Sequence, residues 1–500
     1  MTSPTPTRRR SHDPIALAWT GACLVGFLVL CWLQRDFVTD DAWITARYAD
    51  NLAEGLDFGW NPGGERVEGY SNPALVAVGA FAELIGVSPV TAARVVGVGC
   101  GIALLVVLHR RAPAVLGTTA ARVALLLTAL YPPLALWAVG GFETLPAALV
   151  MTAGVLPLCA ARPSRADAVR AGAALAVLPW LRPEGIVVAL AVAVLAEAPA
   201  LLRREGRREA LQRLAIVAGI PLASQLALVG LRLAIYGHVL PNSFFYKTGA
   251  GGGLQVLNRF VEEARPVLIV AALGLLLAHG RARLLAVPPL VYGLGSIGTM
   301  DSVNHFSRFF LPTWPLCALL AGVAVGWVAH RLGRIGARAA WAGALALVGA
   351  LVFTMPGNAR EVRDFGTWYA SCREGARMEA AAWLRHHTPP DARFSISDAG
   401  LVPAHSGGRS AIDQLGLNEP TLQRTGPLTP KARAHRVHAR RPHAILLASR
   451  TPARLDPLYA TDRALAADPR FKRYRLAAVG HGDDPGCRYA LFAYARKGDR

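Results

Sequence analysis

Apolar runs separated by short polar connectors dominate the first two thirds of the chain. About eleven of these runs approach the roughly 20 residues that an α-helix needs to cross a bilayer. The expected membrane-spanning segments are residues 15–33, 92–108, 123–139, 145–160, 171–181, 186–202, 214–235, 266–278, 284–297, 309–328 and 339–353. The pattern therefore predicts a polytopic α-helical membrane protein.

The apolar run at residues 74–87 is short, and we assign it to a helix at the outer interface. With that assignment, the arginine-rich connectors all fall on one side of the membrane and the acid-bearing connectors on the other. Arginine and lysine collect on the cytosolic side of membrane proteins. The charge pattern therefore places residues 1–13 in the cytosol and the acid-bearing connectors outside.

Composition supports a membrane protein and excludes one class of partner. The 500 residues are 53% hydrophobic and 17% charged, with a formal net charge of +20. Such a charge can indicate nucleic-acid binding, but here the arginine clusters lie between apolar runs, where the membrane orientation requires them. Nucleic acid is therefore excluded. The first apolar run is too long for a cleavable signal peptide and is interpreted as a retained helix.

From residue 356 onward the apolar runs shorten and charged residues become frequent. The pattern there predicts an amphipathic helix at 375–387 and strands at 393–397, 444–448 and 489–495. These elements indicate a small α/β domain outside the membrane, long enough to hold its own core. The predicted division is a cytosolic tail at residues 1–13, a membrane domain at 14–355 and an extracytoplasmic domain at 356–500.

The seven cysteines show no spacing that is typical of a metal site. Five of them lie in apolar runs, where we expect them to be small buried hydrophobic residues. Cys372 and Cys487 lie in the polar C-terminal third, and they can form a disulfide if that domain faces an oxidising compartment.

A polar connector at residues 34–73 follows the first apolar run and carries two adjacent carboxylates, Asp40 and Asp41. A short amphipathic helix is predicted after them, with Thr39 as its N-cap and Gly55 as its stop. Both carboxylates then lie at the positive end of the helix dipole, which favours their ionised form. Reactive side chains on a loop beside a membrane helix indicate a site. The alternative is a solvated connector whose acids only keep it out of the bilayer.

This connector contains D-D-A-W-I-T-A-R-Y-A-D-N-L-A-E-G and N-P-G-G-E-R-V-E-G-Y-S-N-P. Together they resemble the first extracytoplasmic loop of the polytopic GT-C glycosyltransferases, in particular the branch that holds the terminal β-(1→2) arabinofuranosyltransferases. Those enzymes take their sugar from a polyprenyl phosphate. The resemblance implies a GT-C-like fold with an extracytoplasmic α/β domain. It also implies sugar transfer, with arabinofuranose as first choice, to a cell-envelope glycan or glycolipid at the outer face of the plasma membrane.

Sugar transfer from a lipid phosphate needs a base that takes the proton of the acceptor hydroxyl. It also needs arginine, lysine, backbone N–H groups or a divalent ion to stabilise the departing phosphate. By resemblance, an acid of the first loop is the catalytic one, so we expect Asp40 or Asp41 to be the base and prefer Asp40. A cation such as Mg²⁺, Mn²⁺ or Ca²⁺ is a candidate cofactor that the residues neither require nor exclude.

Other polar connectors carry the candidate substrate-binding residues. They are Glu68, Tyr70 and Asn72 in the first loop, Glu143 in G-G-F-E-T-L, Arg182 and Glu184 in L-R-P-E-G, Asn242 and Lys247 in P-N-S-F-F-Y-K, and Asp301 and Arg308 in D-S-V-N-H-F-S-R. Several of these motifs resemble elements of the same branch, although Thr299 and Met300 replace the two glycines that usually precede such an aspartate. We expect Lys247 and Arg308 to hold the phosphate.

Several candidates have a plainer alternative role. Glu143 can cap the following helix, and Arg182 with Glu184 can close a helix end as an ion pair. Lys247 can anchor the chain at the membrane interface.

The C-terminal domain carries a further resemblance to the same branch, in S-D-A-G-L-V-P-A-H-S-G-G-R-S-A-I-D-Q-L-G-L-N. The resemblance implies that Asp398 and Asp413 bind a polysaccharide acceptor. The alternative is that both are turn and strand-end residues.

A transporter or flippase of a lipid-linked intermediate is the alternative function. Such proteins place polar or broken segments near the bilayer midplane, often in inverted repeats. Here the acids cluster at the ends of the apolar runs, whose interiors are mainly alanine, leucine and valine. A large outer domain also has no role in flipping, and a non-catalytic envelope scaffold leaves the paired acids unexplained. The sequence therefore favours a membrane glycosyltransferase.

Overall fold

The computed structural model describes residues 14–203, 206–247, 252–298, 305–334, 336, 346, 349, 359–420, 426 and 428–498. The predicted eleventh span, at residues 339–353, lies outside the described residues apart from two positions. Within the described parts, a helical domain comes first and a mixed α/β domain follows. The residue boundaries predicted for the domains stay a prediction.

The helical domain consists of helices that differ widely in length. They are α1 (Pro14–Leu33), α2 (Asp40–Ala53), α3 (Pro73–Leu84), α4 (Pro89–Leu116), α5 (Thr118–Ala129), α6 (Pro132–Val139), α7 (Thr144–Val155), α8 (Arg165–Leu181), α9 (Gly185–Leu201), α10 (Arg207–Tyr236), α11 (Asn242–Lys247), α12 (Gly253–Leu277), α13 (Val287–Ser296) and α14 (Trp314–Gly333). By length and composition, α1, α4, α10 and the segment that ends with α14 can cross a membrane. The pair α5 and α6, bent by 56°, makes one more if it is a single span.

The observed helices modify the predicted spans at their ends. Helix α3 has only 12 residues, which agrees with a segment that does not cross. Helix α12 begins at Gly253, well before the predicted start at residue 266. The predicted span starts too late because Arg259 and Glu263 in the first turns of the helix interrupt the apolar run. The membrane character of the chain is confirmed, and the figure of about eleven spans stays a prediction.

Two glycines allow helices of this domain to approach closely. A Cβ at Gly97 would lie 2.1 Å from the carbonyl oxygen of Ala138, and one at Gly274 would lie 1.8 Å from that of Leu320. No side-chain carbon fits at these distances, so only glycine is tolerated. Small residues of this kind let membrane helices pack backbone to backbone, here α4 against α6 and α12 against α14.

The C-terminal domain contains one five-stranded sheet in the order β2–β1–β3–β5–β4. Its strands are β1 (Arg393–Ile396), β2 (Ser410–Asp413), β3 (Ala444–Ser449), β4 (Tyr474–Gly480) and β5 (Ala490–Arg496). Strand β1 runs parallel to β2 and β3, whereas β5 runs antiparallel to β3 and β4. Its helices are α15 (Ala359–Trp368), α16 (Gly375–His387), α17 (Leu401–Ala404), α18 (Pro430–Ala439) and α19 (Ala460–Ala467).

The elements predicted for this domain are confirmed with small shifts of their ends. Helix α16 has the predicted bounds, and β1, β3 and β5 lie at the three predicted strands. Strands β2 and β4 were not predicted. The first has only four residues, and the second is an edge strand with exposed side chains in its middle, so neither has a strong apolar pattern.

The first polar loop packs into the C-terminal domain, so the expectation that this domain has a core of its own is only partly right. Tyr48 and Trp60 belong to the same buried apolar cluster as Phe394 of β1. The side-chain amide of Asn61 exchanges two hydrogen bonds, of 2.8 and 2.9 Å, with the backbone of Ala411 in β2. The loop therefore extends the edge of the sheet and shares its core.

A buried ion pair ties the same loop to the membrane domain. Arg232 of α10 donates hydrogen bonds from Nε and Nη2 to the Glu68 carboxylate at 2.8–3.0 Å. Both side chains are at most 3% exposed. A two-pronged pair of this kind fixes orientation as well as distance, so the loop is held on both sides.

Cys372 and Cys487 form a disulfide with their Cα atoms 5.3 Å apart, which confirms the predicted pairing. Cys372 lies in a π-helical turn, Tyr369–Glu374, which leads directly into α16. The bond therefore fixes this wide turn against the segment that enters β5.

Removal of one partner of the Glu68–Arg232 pair is expected to destabilise the protein by about 3–5 kcal/mol, because the other charge stays buried. Glu68→Leu and Arg232→Met should each lower the thermal unfolding midpoint of the purified protein, and the double variant should recover part of the loss. The control is Arg66→Met, which removes an exposed pair with Asp57 and should leave the midpoint unchanged. A wild-type midpoint in Glu68→Leu would contradict the role of the pair.

Loss of the disulfide is expected to destabilise the C-terminal domain by about 2–4 kcal/mol, because the unfolded chain regains the freedom of a long loop. Cys372→Ser should unfold at lower urea concentration than the wild type, and reductant should lower the midpoint of the wild type but not that of Cys372→Ser. Cys100→Ser is the control, since Cys100 is a free thiol and its loss should preserve the reductant effect. Identical urea midpoints for Cys372→Ser and wild type would show that the bond adds no stability.

Candidate active site

A cavity of about 510 Å³ with several charged residues in its wall lies between the first loop, the membrane domain and the C-terminal domain. Its charged lining consists of Asp40, Asp41, Asp398 and Asp413 with Arg259, Arg308, Arg373 and Arg377, and His305 lies among them. Further polar groups in the wall belong to Tyr70, Asn72, Tyr246, Tyr369 and Tyr459. The lining therefore suits a ligand that carries both negative charge and hydroxyl groups.

Helix α2 brings the two adjacent carboxylates into the cavity at its first turn. Thr39 occupies the N-cap position, but its side chain makes no capping hydrogen bond, so the predicted threonine cap is wrong. The backbone N–H of Thr39 instead donates to the carbonyl of Gly140 at 3.2 Å, and that of Asp40 donates to the hydroxyl of Tyr369 at 3.1 Å. Tertiary contacts thus replace the local cap.

The Asp40 carboxylate is held by three groups. It accepts hydrogen bonds from the backbone N–H groups of Gly400 at 3.1 Å and Leu401 at 3.0 Å, and Nε of Arg377 lies 3.4 Å from Oδ1. Burial raises the pKa of Asp40, and the charge of Arg377 opposes that shift without cancelling it. Burial therefore outweighs the helix dipole, which we expected to favour the ionised form. Asp40 is a rigid part of the cavity wall.

The Asp41 carboxylate is more open to the cavity. Its side chain is 31% exposed, against 12% for its neighbour. Among the described residues it accepts one hydrogen bond, from Nη1 of Arg308 at 3.2 Å. The guanidinium of Arg308 is nearly fully buried and lies 4.5–5.1 Å from the ring centroids of Trp137, Phe142 and Phe309. Asp41 can therefore accept a further proton donor, while Arg308 is a fixed cation.

The backbone just before Arg308 is strained. Phe306 and Ser307 have φ angles of 50° and 53°, a left-handed conformation that costs a residue other than glycine roughly 1–2 kcal/mol. The Ser307 hydroxyl donates to Glu263 of α12, and the Phe306 ring lies 5.2 Å from that of Phe365. Strain of this kind persists where several contacts enforce it, and it is concentrated at functional sites.

Asp398 is the second carboxylate that contacts Arg377. Arg377 donates from Nε and Nη2 to Oδ2 of Asp398 at 3.1 and 2.6 Å. The hydroxyls of Tyr459 and Tyr489 donate to the same carboxylate. Burial works to raise the pKa of Asp398, but the charges of Arg377 and Arg373 and the hydrogen bonds from Tyr489 and Arg377 together outweigh burial, so the pKa lies below its usual value. Ionised Asp398 thus fixes Arg377 between two carboxylates.

The cavity gathers about half of the residues that the sequence predicts for the site. Those in its wall are Asp40, Asp41, Tyr70, Asn72 and Arg308, together with Asp398 and Asp413 of the C-terminal domain. Asp413 also accepts hydrogen bonds from the backbone N–H groups of Leu415, Gly416 and Asn418, so the turn role considered for it is present as well.

Glu143, Arg182 and Glu184 form a polar cluster next to the wall. Nδ2 of Asn72 donates to Glu143 at 3.1 Å, and Arg182 donates to Glu143 at 3.4 Å and to Glu184 at 2.5 Å. Glu143 is 3% exposed and makes no capping bond to α7. These three residues therefore support Asn72 and do not line the cavity, so we do not carry them forward as ligands.

Two further candidates have structural partners. Glu68 is occupied by Arg232, and the side-chain amide of Asn242 donates to the carbonyls of Leu417 at 2.8 Å and Glu419 at 2.7 Å. Neither residue lines the cavity. Asp301 and the side chain of Lys247 lie outside what the structure describes, so their proposed contacts stay predictions.

Sequence reasoning missed several residues of the cavity wall, namely Arg259, Tyr369, Arg373 and Arg377. His305 also lies in the wall, and its ring packs 4.8 Å from that of Phe365. The sequence offered a signal for only one of these residues, Arg373. It follows Cys372 directly, and the predicted disulfide indicated that this segment has a fixed position.

The charged groups do not fit a resident divalent cation. Within the described ranges, no three histidine, cysteine, aspartate or glutamate side chains come together as a metal cluster. Asp40 and Asp41 each have an arginine partner within 3.4 Å, so a cation between them would meet two positive charges. We derive no step through a metal ion, and the candidate cofactor stays a prediction.

Comparison with known sequences covers only the C-terminal domain. Residues 367–492 match a family described as a domain of unknown function, DUF8728. No curated protein matches the chain.

Comparison with solved structures covers nearly the whole chain. ArnT from Cupriavidus metallidurans bound to undecaprenyl phosphate aligns with a TM-score of 0.61 and 14% identity, over 97% of this chain and 98% of ArnT. The archaeal oligosaccharyltransferase AglB from Archaeoglobus fulgidus, in complex with an inhibitory peptide and a dolichol-phosphate, aligns with a TM-score of 0.62 and 12% identity, over 97% of this chain and 74% of AglB. At these identities the likeness establishes the fold alone, and it agrees with the GT-C-like fold that the resemblance of the first loop implies.

Proposed function

We propose that this protein is a membrane glycosyltransferase that moves a sugar from a polyprenyl-phosphate donor to a hydroxyl of a cell-envelope glycan or glycolipid. The observation that carries the proposal is the single cavity in which Asp40 and Asp41 meet four guanidinium groups. The structures of ArnT and AglB, which share the fold, contain undecaprenyl phosphate and dolichol-phosphate. Both molecules are polyprenyl phosphates, the chemical class of the lipid that carries the sugar in the proposed donor. The resemblance of the first loop makes arabinofuranose the proposed sugar.

Asp41 is the proposed base, in place of the initial preference for Asp40. A base needs an oxygen that can reach the acceptor hydroxyl, and Asp41 is the more exposed of the pair with a single hydrogen-bond partner among the described residues. In the proposed step, Asp41 takes the hydroxyl proton as the acceptor oxygen bonds to the anomeric carbon. The bond from that carbon to the phosphate oxygen breaks, and its electron pair leaves with the phosphate.

Arg308 is the proposed partner of the departing phosphate. Its cation is preorganised by three aromatic rings, and its Nε has no hydrogen-bond partner in the part of the chain that the structure describes. Fixed donors in a site that excludes water stabilise developing charge without reorganisation. A phosphate that binds Arg308 competes with Asp41 for the same guanidinium, and this competition would release the carboxylate to act as base.

The proposed location of the cavity is the outer face of the plasma membrane. The arginine-rich connectors lie at the end of the membrane domain opposite the cavity, and their charge favours the cytosolic side for that end. The Cys372–Cys487 disulfide supports an oxidising compartment for the C-terminal domain, because such bonds are rare in the cytosol.

The test is transfer by the purified full-length protein from a panel of polyprenyl-phosphate sugars that includes arabinofuranose, mannose and a second pentose. We expect transfer from one donor, with chelator making no difference because arginines already hold both acids. Asp41→Asn should lower the rate about 100- to 10,000-fold, the usual contribution of a general base. The measurement is the rate of labelled sugar transfer to a glycan acceptor.

The matched control is Asp36→Asn, which alters an exposed acid of the same loop and should leave the rate unchanged. Near-normal transfer in both Asp40→Asn and Asp41→Asn would show that the catalytic assignment is wrong. Absence of transfer from every donor, with the lipid carried across the bilayer, would favour the flippase alternative.

The pH dependence of transfer should report on Asp40. The groups that face it are Arg377, Asp398, Asp41 and Glu374. Because burial raises the pKa of Asp40, acidification protonates it earlier than a free aspartate and releases Arg377, so transfer is lost on the acidic side. Asp398→Asn removes a negative charge that raises the pKa of Asp40. It also leaves Asp40 as the ionised partner of Arg377, which lowers that pKa further.

Asp398→Asn should therefore move the acidic loss of kcat/KM to lower pH. The profile of Asp456→Asn, which changes an exposed acid of the same domain, should match that of the wild type. A loss at the same or at a higher pH in Asp398→Asn would contradict the coupling between the two carboxylates.

A further inference from the structure

Arg373 lies in the cavity wall. Its guanidinium lies 5.1 Å from the ring centroid of Tyr489, 5.6 Å from that of Trp368 and 5.9 Å from that of Tyr369. Its side-chain Nε is buried and has no hydrogen-bond partner among the described residues. A buried N–H group without an acceptor is costly, and aromatic faces steady a cation but leave its hydrogen-bond donors unused. Arg373 is therefore equipped to bind an anion.

Arg373 belongs to the same charged group as the Asp41–Arg308 pair. The His305 side chain lies within electrostatic range of Arg373, Arg308 and Asp41. The His305 ring lies 6.2 Å from that of Tyr369, over which Arg373 also lies. An anion bound by Arg308 in this cavity would therefore also be attracted to Arg373.

Arg377 follows Arg373 by four residues and has the opposite character. Its guanidinium is 2% exposed and contacts Asp40, Asp398 and the hydroxyl of Tyr369. These partners occupy its donors, so Arg377 has little left to offer a ligand. The two arginines lie on one continuous helical segment. The hydrogen-bond donors of Arg377 are occupied, whereas Arg373 has an Nε without a partner among the described residues.

The disulfide fixes where this segment lies. Cys372 directly precedes Arg373, and its bond to Cys487 holds the π-helical turn Tyr369–Glu374 close to Tyr489, whose ring Arg373 contacts. π-Helical turns are rare and occur mostly at functional sites. A covalent bond within the C-terminal domain therefore helps to set the position of Arg373.

We propose that the C-terminal domain, the part that matches the domain of unknown function, completes the active site with two arginines of different roles. Arg373 binds the phosphate of the donor, and Arg377 is a positioning residue that holds Asp40 and the start of α2. The proposal rests on the proposed function, and it assigns to this domain a direct part in donor binding. The ligand chemistry is phosphate, which a lipid headgroup or the free ion can supply.

The first test measures binding by the purified full-length protein, without any transfer. The probes are undecaprenyl phosphate, undecaprenol and inorganic phosphate. We expect the wild type to bind undecaprenyl phosphate more tightly than the other two. Arg373→Gln should weaken that binding about tenfold or more, the effect of losing a hydrogen bond to a charged group. Arg373→Lys, which keeps the charge, should weaken it less.

The matched control is Arg363→Gln, an exposed arginine of α15 ten residues earlier, which should bind like the wild type. Each variant is checked for an intact Cys372–Cys487 bond and an unchanged unfolding midpoint. If Arg373→Gln fails that check, Arg373→Lys decides. A smaller preference for undecaprenyl phosphate over undecaprenol than in the wild type supports the assignment, and a wild-type preference overturns it.

The second test separates the two arginines. Arg377→Gln should bind undecaprenyl phosphate within about twofold of the wild type while sugar transfer falls about 100-fold, the cost of a misplaced catalytic group. Arg373→Gln should instead raise KM for the donor more than it lowers kcat. A purely structural role of Arg377 would reduce binding and transfer together, and that result would overturn its assignment.

The outcomes also separate this proposal from the proposed function. If the wild type does not distinguish undecaprenyl phosphate from undecaprenol, both fail. If the wild type does distinguish them and Arg373→Gln distinguishes them equally well, only the assignment of Arg373 is overturned. If inorganic phosphate binds as tightly as undecaprenyl phosphate, the site recognises the free ion and the lipid donor role is overturned.

Discussion

The guanidinium of Arg377 lies between two buried carboxylates, and the arrangement of the cavity depends on it. Asp398 holds it with two hydrogen bonds, and Oδ1 of Asp40 lies 3.4 Å from its Nε. One positive charge serves two negative ones: the pKa of Asp398 lies below its usual value, whereas burial raises the pKa of Asp40. A buried group of charges is tolerated only when its geometry is good and its remaining polar atoms are satisfied, and here backbone N–H groups and tyrosine hydroxyls satisfy them. This requirement fixes the relative position of the loop and the domain.

The first loop and the C-terminal domain therefore behave as one structural unit. They share an apolar cluster, the loop extends the edge of the sheet through Asn61, and charges meet between them. The loop is also bonded to the membrane domain through Glu68 and Arg232. A residue such as Glu68 can thus belong to a motif that resembles a catalytic loop and still serve to hold the loop in place.

Buried and partly buried arginines recur in this protein, and they have more than one role. At the end of α9 away from the cavity, Glu197 is fully buried and bonds both Arg213 and Arg281. Both arginines lie in connectors whose charge indicates the cytosolic side, so part of that charge also joins helices. Around the cavity, Arg308 and Arg373 are instead surrounded by aromatic rings, which leaves donors for a ligand. The excess of positive charge thus reflects orientation, packing and ligand binding together.

The sequence by itself determined the features that depend on neighbouring residues. Apolar length indicated the membrane helices, side-chain period gave α16 and three strands, and the adjacent acids marked the first turn of α2. The tertiary structure alone decided which carboxylate is held and which is open, and it brought in Arg373 and Arg377 while it turned Glu143 and Glu68 into supporting residues. The physical reason is distance along the chain. Hydrophobic period is local, but the partner of a buried charge is chosen by packing, as when Asp40 accepts a hydrogen bond from Gly400, 360 residues away.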